Sequence, residues 1–147
     1  LVRINALGSP WGEADLAALA AWDCDGVVVP KVDGLADLDA VAARTTRPLW
    51  AMIETARGVL AAPETCAHPR LAGIIMGTND LARDLGLRAR PDRMPLWAAL
   101  QGTLLAARAE TAATRRCGRD AEAAARRLTR DSMRDFILIV ACRCHSN

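Results

Sequence analysis

Three polar residues stand where the chain otherwise keeps hydrocarbon. Arg3 lies inside LVRIN, Glu54 ends PLWAMIE, and Asp80 follows IIMGTN. Two carboxylates brought side by side suit a hard divalent cation such as Mg²⁺, or Mn²⁺ in its place. Mg²⁺ takes one or two protein carboxylates and completes its octahedron with water and substrate oxygens. A guanidinium beside them offers a planar fork to a carboxylate or to a developing enolate oxygen. Metal plus arginine describes a site for a small oxo- or hydroxy-acid. Plainer roles exist for all three. Glu54 could pair with Arg57 one turn on, Asp80 could cap a helix beginning at Leu81, and Arg3 could pair with any acid at a strand end. Spacing alone favours these structural roles, since carboxylates outside a motif are usually structural.

For the three to meet, their strands must end on one side of a sheet. The apolar runs LVRINAL, GVVVPKV, PLWAMIE and LAGIIMGT begin at residues 1, 26, 48 and 71, the step of a βα unit with short loops. They are nearly continuous in apolar residues, as parallel strands covered on both faces are. Ser9 and Pro10 predict the cap and first turn of a helix whose face carries Leu16 and Leu19. Asp33 is expected to cap the next helix, with Leu35, Leu38, Val41 and Ala42 on its inner stripe. TARGVLAAPET reads as a short helix that Pro63 interrupts. From about Pro91, Trp97, Leu100, Leu104 and Leu105 form a further stripe. Strands alternating with helices make this an α/β chain. In such a sheet all strand C-termini open on one face, where Arg3, Glu54 and Asp80 converge.

Length and charge bound the rest. With 147 residues and 15.7 kDa there is enough chain for one ordinary domain. A closed eight-unit (β/α) barrel takes about 250, so this chain cannot close one by itself. Apolar residues make up 52% and charged residues 24%, which excludes a disordered chain. A net charge of +2 is too small to recruit nucleic acid or an anionic membrane. No apolar run is long enough to span a bilayer, the opening LVRINALGSPWGE is no signal peptide, and Leu1 in place of Met is read as a piece of something longer. The five cysteines, an odd number without regular spacing, predict free thiols in a reducing cytoplasm. Character changes near Ala109: residues 1–108 balance to −1, residues 109–147 to +3, and the latter end in CRCHSN. Residues 109–147 are therefore read as an atypical tail not native to the domain. In it AEAAARRL is expected to form a surface helix and FILIVAC, from Phe136, a strand.

The motifs VRIN, VVVPKV, MIETARGVLAAPE and IIMGTNDLARDLG, in this order, resemble the HpcH/HpaI aldolase and citrate lyase β-subunit family, which includes malyl-CoA and citramalyl-CoA lyases. The resemblance covers residues 1–108 and is most specific in the last two motifs. It implies a partial (β/α)8 TIM barrel of about four βα units, equivalent to the third to sixth of the family barrel. It also implies a Mg²⁺-dependent carbon–carbon lyase acting by retro-Claisen or retro-aldol cleavage on a CoA thioester of a small hydroxy-dicarboxylic acid. Carried over by motif, Arg3 resembles the catalytic, carboxylate-binding arginine, and Glu54 and Asp80 resemble the metal ligands. A CoA-independent keto-acid aldolase and a non-catalytic fragment are the alternatives. Partners implied are an oxo-acid or acyl-CoA and, as in some members, further copies of the chain. Lys31 of VPKV, the one lysine, offers a Schiff-base route to aldol chemistry as a rival to the metal. Cys142, Cys144 and His145 lack a second ligand pair for a zinc site, His68 reads as a loop residue, and Gly73 and Gly77 as turns around the fourth strand.

Overall fold

A computed structural model describes residues 1–88, 90–113 and 139–141. The expected helix over AEAAARRL and the residues Cys117, Cys142, Cys144 and His145 lie outside them. All four apolar runs form strands: β1 (Val2–Arg3), β2 (Val27–Val29), β3 (Leu49–Ile53) and β4 (Leu71–Met76). They pair in parallel and in sequence order, and β5 (Ile139–Ala141), within the expected FILIVAC strand, adds antiparallel to β4. Sequence order means that no connection reverses the direction of growth, so the helices gather on one face. That face buries Val27, Val29, Leu49, Ala51, Ile53, Leu71, Ile74 and Met76. Packed against them are Leu16 and Leu19 of α1 (Gly12–Leu19), Leu38 and Val41 of α2 (Leu35–Ala42), and Ala62 and Cys66 of α4 (Ala62–Ala67). Val28, Trp50, Met52, Ala72 and Ile75 cluster on the opposite face. The architecture is a run of βα units with their helices gathered on one face of an open sheet.

Local details depart from the expected ones for physical reasons. α1 starts at Gly12, after Ser9 and Pro10, where the chain lies against the Ala6 carbonyl and leaves no room for a Cβ on residue 12. Asp33 does not cap α2. Gly34 occupies the cap, and Asp37 accepts the amides of Asp33 (2.8 Å) and Gly34 (3.2 Å). The stretch after Glu54 splits into α3 (Ala56–Leu60) and α4, with Pro63 in the first turn of the latter, where a missing N–H costs nothing. Gly73 makes no turn. It marks a bulge in β4, where the register to β3 slips by one and brings Ala72 and Ile75 to the same face.

After α5 (Thr78–Asp84) and a short 3₁₀ turn (Met94–Leu96), α6 (Trp97–Ala113) packs on α4. Its inner face is Leu100, Thr103, Leu104 and Ala107; Trp97 and Leu105 point outward, 58% and 69% exposed. The composition boundary at residue 108 falls inside this helix. At the N-terminal end of the strands, arginines act as staples. Arg47 donates to the Cys24 and Trp22 carbonyls, and Arg70 to those of Ala42 (2.7 Å) and Arg47 (2.6 Å). A cleft of about 810 Å³ opens at this end, lined by Leu16, Leu19, Arg44, Arg47 and Arg70 among others, without a carboxylate. His68, expected in a loop, follows α4 and is buried. Its Nε2 lies 3.3 Å from Asp39 and its Nδ1 accepts the Arg70 amide.

Candidate functional site

The opposite, C-terminal end of the strands carries the charged residues. Glu54 follows β3 directly and is 6% exposed. Its Oε1 accepts the backbone amide of Lys31, at the exit of β2, at 2.9 Å. Its Oε2 and Cβ each lie 2.7 Å from the point where a Cβ on Gly77 would stand. Gly77 follows β4 and donates its amide to the Ile53 carbonyl, the last rung between β3 and β4. Its φ of −82° needs no glycine; the carboxylate beside it does. The role expected for Gly77, a tight turn, is therefore corrected to close approach.

Asp80 is not at a strand end. β4 stops at Met76 and Asp80 sits in the first turn of α5, which begins at Thr78 and not at Leu81. An acidic residue there is favoured by the helix dipole, and Arg83 one turn on donates to Asp80 at 2.6 Å. Among the described residues no ion pair joins Glu54 to Arg57. Arg3 is on β1, exposed, level in the register with Val28 and Trp50. Lys31 is exposed beyond the end of β2.

Electrostatics ties these positions together. Burial pushes the Glu54 carboxyl above its ordinary range; the Lys31 amide opposes this, Asp80 adds to it, and the Lys31 and Arg3 charges pull it back down. One acid and two bases, drawn from the other three βα units, thus act on one buried carboxylate. The two residues after Glu54 are also anchored. Thr55 accepts the Gly58 amide at 3.0 Å, capping α3, and gives its hydroxyl hydrogen to Asp33. The Ala56 amide reaches Asp84, at the end of α5, at 2.7 Å. Thr55→Val keeps the shape and removes both bonds. It is expected to cost about 1–2 kcal/mol, read as a fall of several degrees in melting temperature. An unchanged melting temperature would show that the cap carries no weight.

The donor set fits a small divalent cation. A carboxylate kept from water and close to a second acid carries an unfavourable charge that a cation relieves. Among the described residues no three of His, Cys, Asp or Glu gather as a metal cage. Two carboxylates are what Mg²⁺ asks of a protein when substrate and water supply the rest. Sequence reasoning singled out Glu54, Asp80 and Arg3, gave Gly77 a turn and Asp33 a helix cap, and did not reach the Lys31 amide, Thr55 or Asp84. The glycine after an apolar strand was the visible signal of the close approach.

The sequence profile described as HpcH/HpaI aldolase/citrate lyase matches residues 1–128. A (3S)-malyl-CoA thioesterase of Cereibacter sphaeroides is 56% identical over 110 residues, 74% of this chain and 39% of that protein. The citrate lyase subunit beta of Escherichia coli is 34% identical over 121 residues, 40% of its length. This chain therefore spans about two fifths of the curated relatives it matches. Among solved structures, the citrate lyase beta subunit of Mycobacterium tuberculosis complexed with oxaloacetate and magnesium superposes with a TM-score of 0.65 at 35% identity, covering 74% of this chain and 50% of that one. RipC from Yersinia pestis gives 0.66 at 32% identity, covering 72% and 52%.

Proposed function

This chain belongs to the HpcH/HpaI aldolase/citrate lyase family, and from that premise we propose that it carries the cation- and carboxylate-binding part of a carbon–carbon lyase site for CoA thioesters of small hydroxy-dicarboxylic acids, malyl-CoA being the type. The observation that carries the reading is the placement of Arg3, Lys31 and Asp80 together with buried Glu54 at the C-terminal end of four neighbouring parallel strands. Relatives named for malyl-CoA and for citrate support the substrate class, and the magnesium complex of a structural neighbour supports the ion.

Glu54 and Asp80 would hold the cation, Mg²⁺ or Mn²⁺. When bound it supplies Lewis acidity toward the carboxylate and α-oxygen of the oxo-acid half. Arg3 binds that carboxylate and steadies the charge that develops as the carbon–carbon bond breaks. In malyl-CoA cleavage the bond between the hydroxyl-bearing carbon and the thioester α-carbon breaks. The hydroxyl loses its proton and becomes the glyoxylate carbonyl. The electron pair goes to the thioester as an enolate, which takes up a proton to give acetyl-CoA. Burial of Glu54 keeps water from its carboxylate, which strengthens its interactions.

A second reading, hydrolysis of the same thioester, is favoured by the name of the 56% identical relative. The products separate the two: glyoxylate with acetyl-CoA for cleavage, malate with free CoA thiol for hydrolysis. Incubating the chain with malyl-CoA and Mg²⁺ is expected to release glyoxylate, trapped as its hydrazone, without free thiol. Free thiol without glyoxylate would replace the first reading by the second. Neither product, with cation binding intact, would make the chain a binding fragment. Mg²⁺ titration followed by calorimetry is expected to show Asp80→Ala weakened at least about tenfold. Equal binding by wild type and Asp80→Ala would remove Asp80 from the site.

A further inference from the structure

Three consecutive residues at the exit of β2 all reach across to the exit of β3. The Lys31 amide donates to Glu54 Oε1 at 2.9 Å, the Val32 amide donates to the Met52 carbonyl at 3.1 Å, and Asp33 accepts the Thr55 hydroxyl. In a regular strand successive amides point to opposite edges. Here the amides of residues 31 and 32 both point toward β3, which requires the backbone to turn between them. Lys31 makes that turn with a φ of 51°, one of two described non-glycine residues in the left-handed region. That conformation is unfavourable for a side chain larger than glycine, so the surrounding contacts must hold it.

We propose that Lys31 is a positioning residue for Glu54, acting through its backbone. Its left-handed turn pins Oε1 on the Lys31 amide and directs Oε2 to the gap left by the missing side chain of Gly77. The carboxylate then presents one oxygen in a set direction, which is how an outer contact prepares a ligand for a cation. This inference rests on Glu54 being a cation ligand, as proposed above.

Two variants isolate the backbone from the charge. Lys31→Gly and Lys31→Val both delete the ammonium and both keep the amide. Glycine adopts a positive φ freely, whereas a β-branched residue resists it. Mn²⁺ titrated into each, with circular dichroism to establish the fold and loss of the free-ion paramagnetic signal to measure binding, is expected to show Lys31→Gly binding about tenfold more tightly than Lys31→Val. Independently of any metal, the wild-type Lys31 amide is expected to exchange slowly with solvent and to lose that protection in Glu54→Ala. Equal Mn²⁺ affinities in the two folded variants, or fast exchange in the wild type, would overturn the inference. Absence of Mn²⁺ binding by the wild type would instead overturn the proposed function, and the amide exchange then decides the Lys31–Glu54 contact by itself.

Discussion

Glu54→Gln is expected to do two opposite things: weaken Mg²⁺ binding by about 100-fold or more, and make the metal-free protein more stable at neutral pH. The first follows from removing a ligand charge, since even groups that only orient ligands are worth about 10- to 100-fold. The second follows from burial. The carboxyl is 6% exposed and its pKa is raised, first by loss of water, with Asp80 adding to the effect. The folded state therefore holds the Glu54 proton to higher pH than the unfolded state does. Between the ordinary glutamate value and the raised one, folding binds more protons than unfolding, so stability falls as pH rises. Above both values the penalty is constant; below both it vanishes. Glutamine keeps the acceptor for the Lys31 amide and carries no such penalty, so the variant's stability loses this pH slope and is higher than the wild type's at pH 7. Melting curves at several pH values, with and without Mg²⁺, check both parts. A variant that is less stable than wild type without metal, or that binds Mg²⁺ equally, would contradict the account.

Gly77→Ala is expected to cost about 1–3 kcal/mol and to weaken Mg²⁺ binding by about tenfold or more. The added methyl would stand 2.7 Å from Glu54 Cβ, an atom fixed to the backbone, and 2.7 Å from Oε2. Rotating the glutamate relieves the second contact but not the first. The end of β4 must move, and with it the Gly77 amide that bonds the Ile53 carbonyl at 2.9 Å. Gly102, on the exposed side of α6, is the control, because nothing lies within 4 Å of its added Cβ. Gly102→Ala is expected to stabilise by about 0.5–1 kcal/mol through helix propensity. If both glycines respond alike, the close approach at Gly77 has no consequence.

The strands were legible because burial on both faces writes them as unbroken apolar runs. β2 reads VVV and β4 LAGIIM, and neither run suits anything else at that length. The charged residues that end or interrupt such runs were equally plain, which is why Arg3 and Glu54 could be picked out unaided. What stayed hidden depends on contacts between units. The inner face of α6 is set by where α4 lies, so Trp97 and Leu105, apolar by type, face out while Thr103 is buried. Asp80 looked like a strand-end residue because helix α5 starts within one residue of the strand, with no cap sequence to announce it. The Lys31 amide carries no side-chain signature at all. Backbone donors take their direction from φ and ψ, and a lysine in the left-handed region is not an expected choice.

The clasp between units has a consequence for how this protein can be divided or recombined. Glu54 directly follows β3, yet its carboxylate is held by a residue leaving β2 and bounded by a glycine leaving β4. The amide two residues on is fastened to Asp84 at the end of α5. A crossover between homologues placed in any of these loops would pair a glutamate with a foreign cradle. The smallest block that could be exchanged with these hydrogen-bond and packing contacts intact therefore runs from the start of β2 to the end of α5, residues 27–84. Breakpoints outside that block should be tolerated, and chimaeras joined inside it should fold with a misdirected carboxylate.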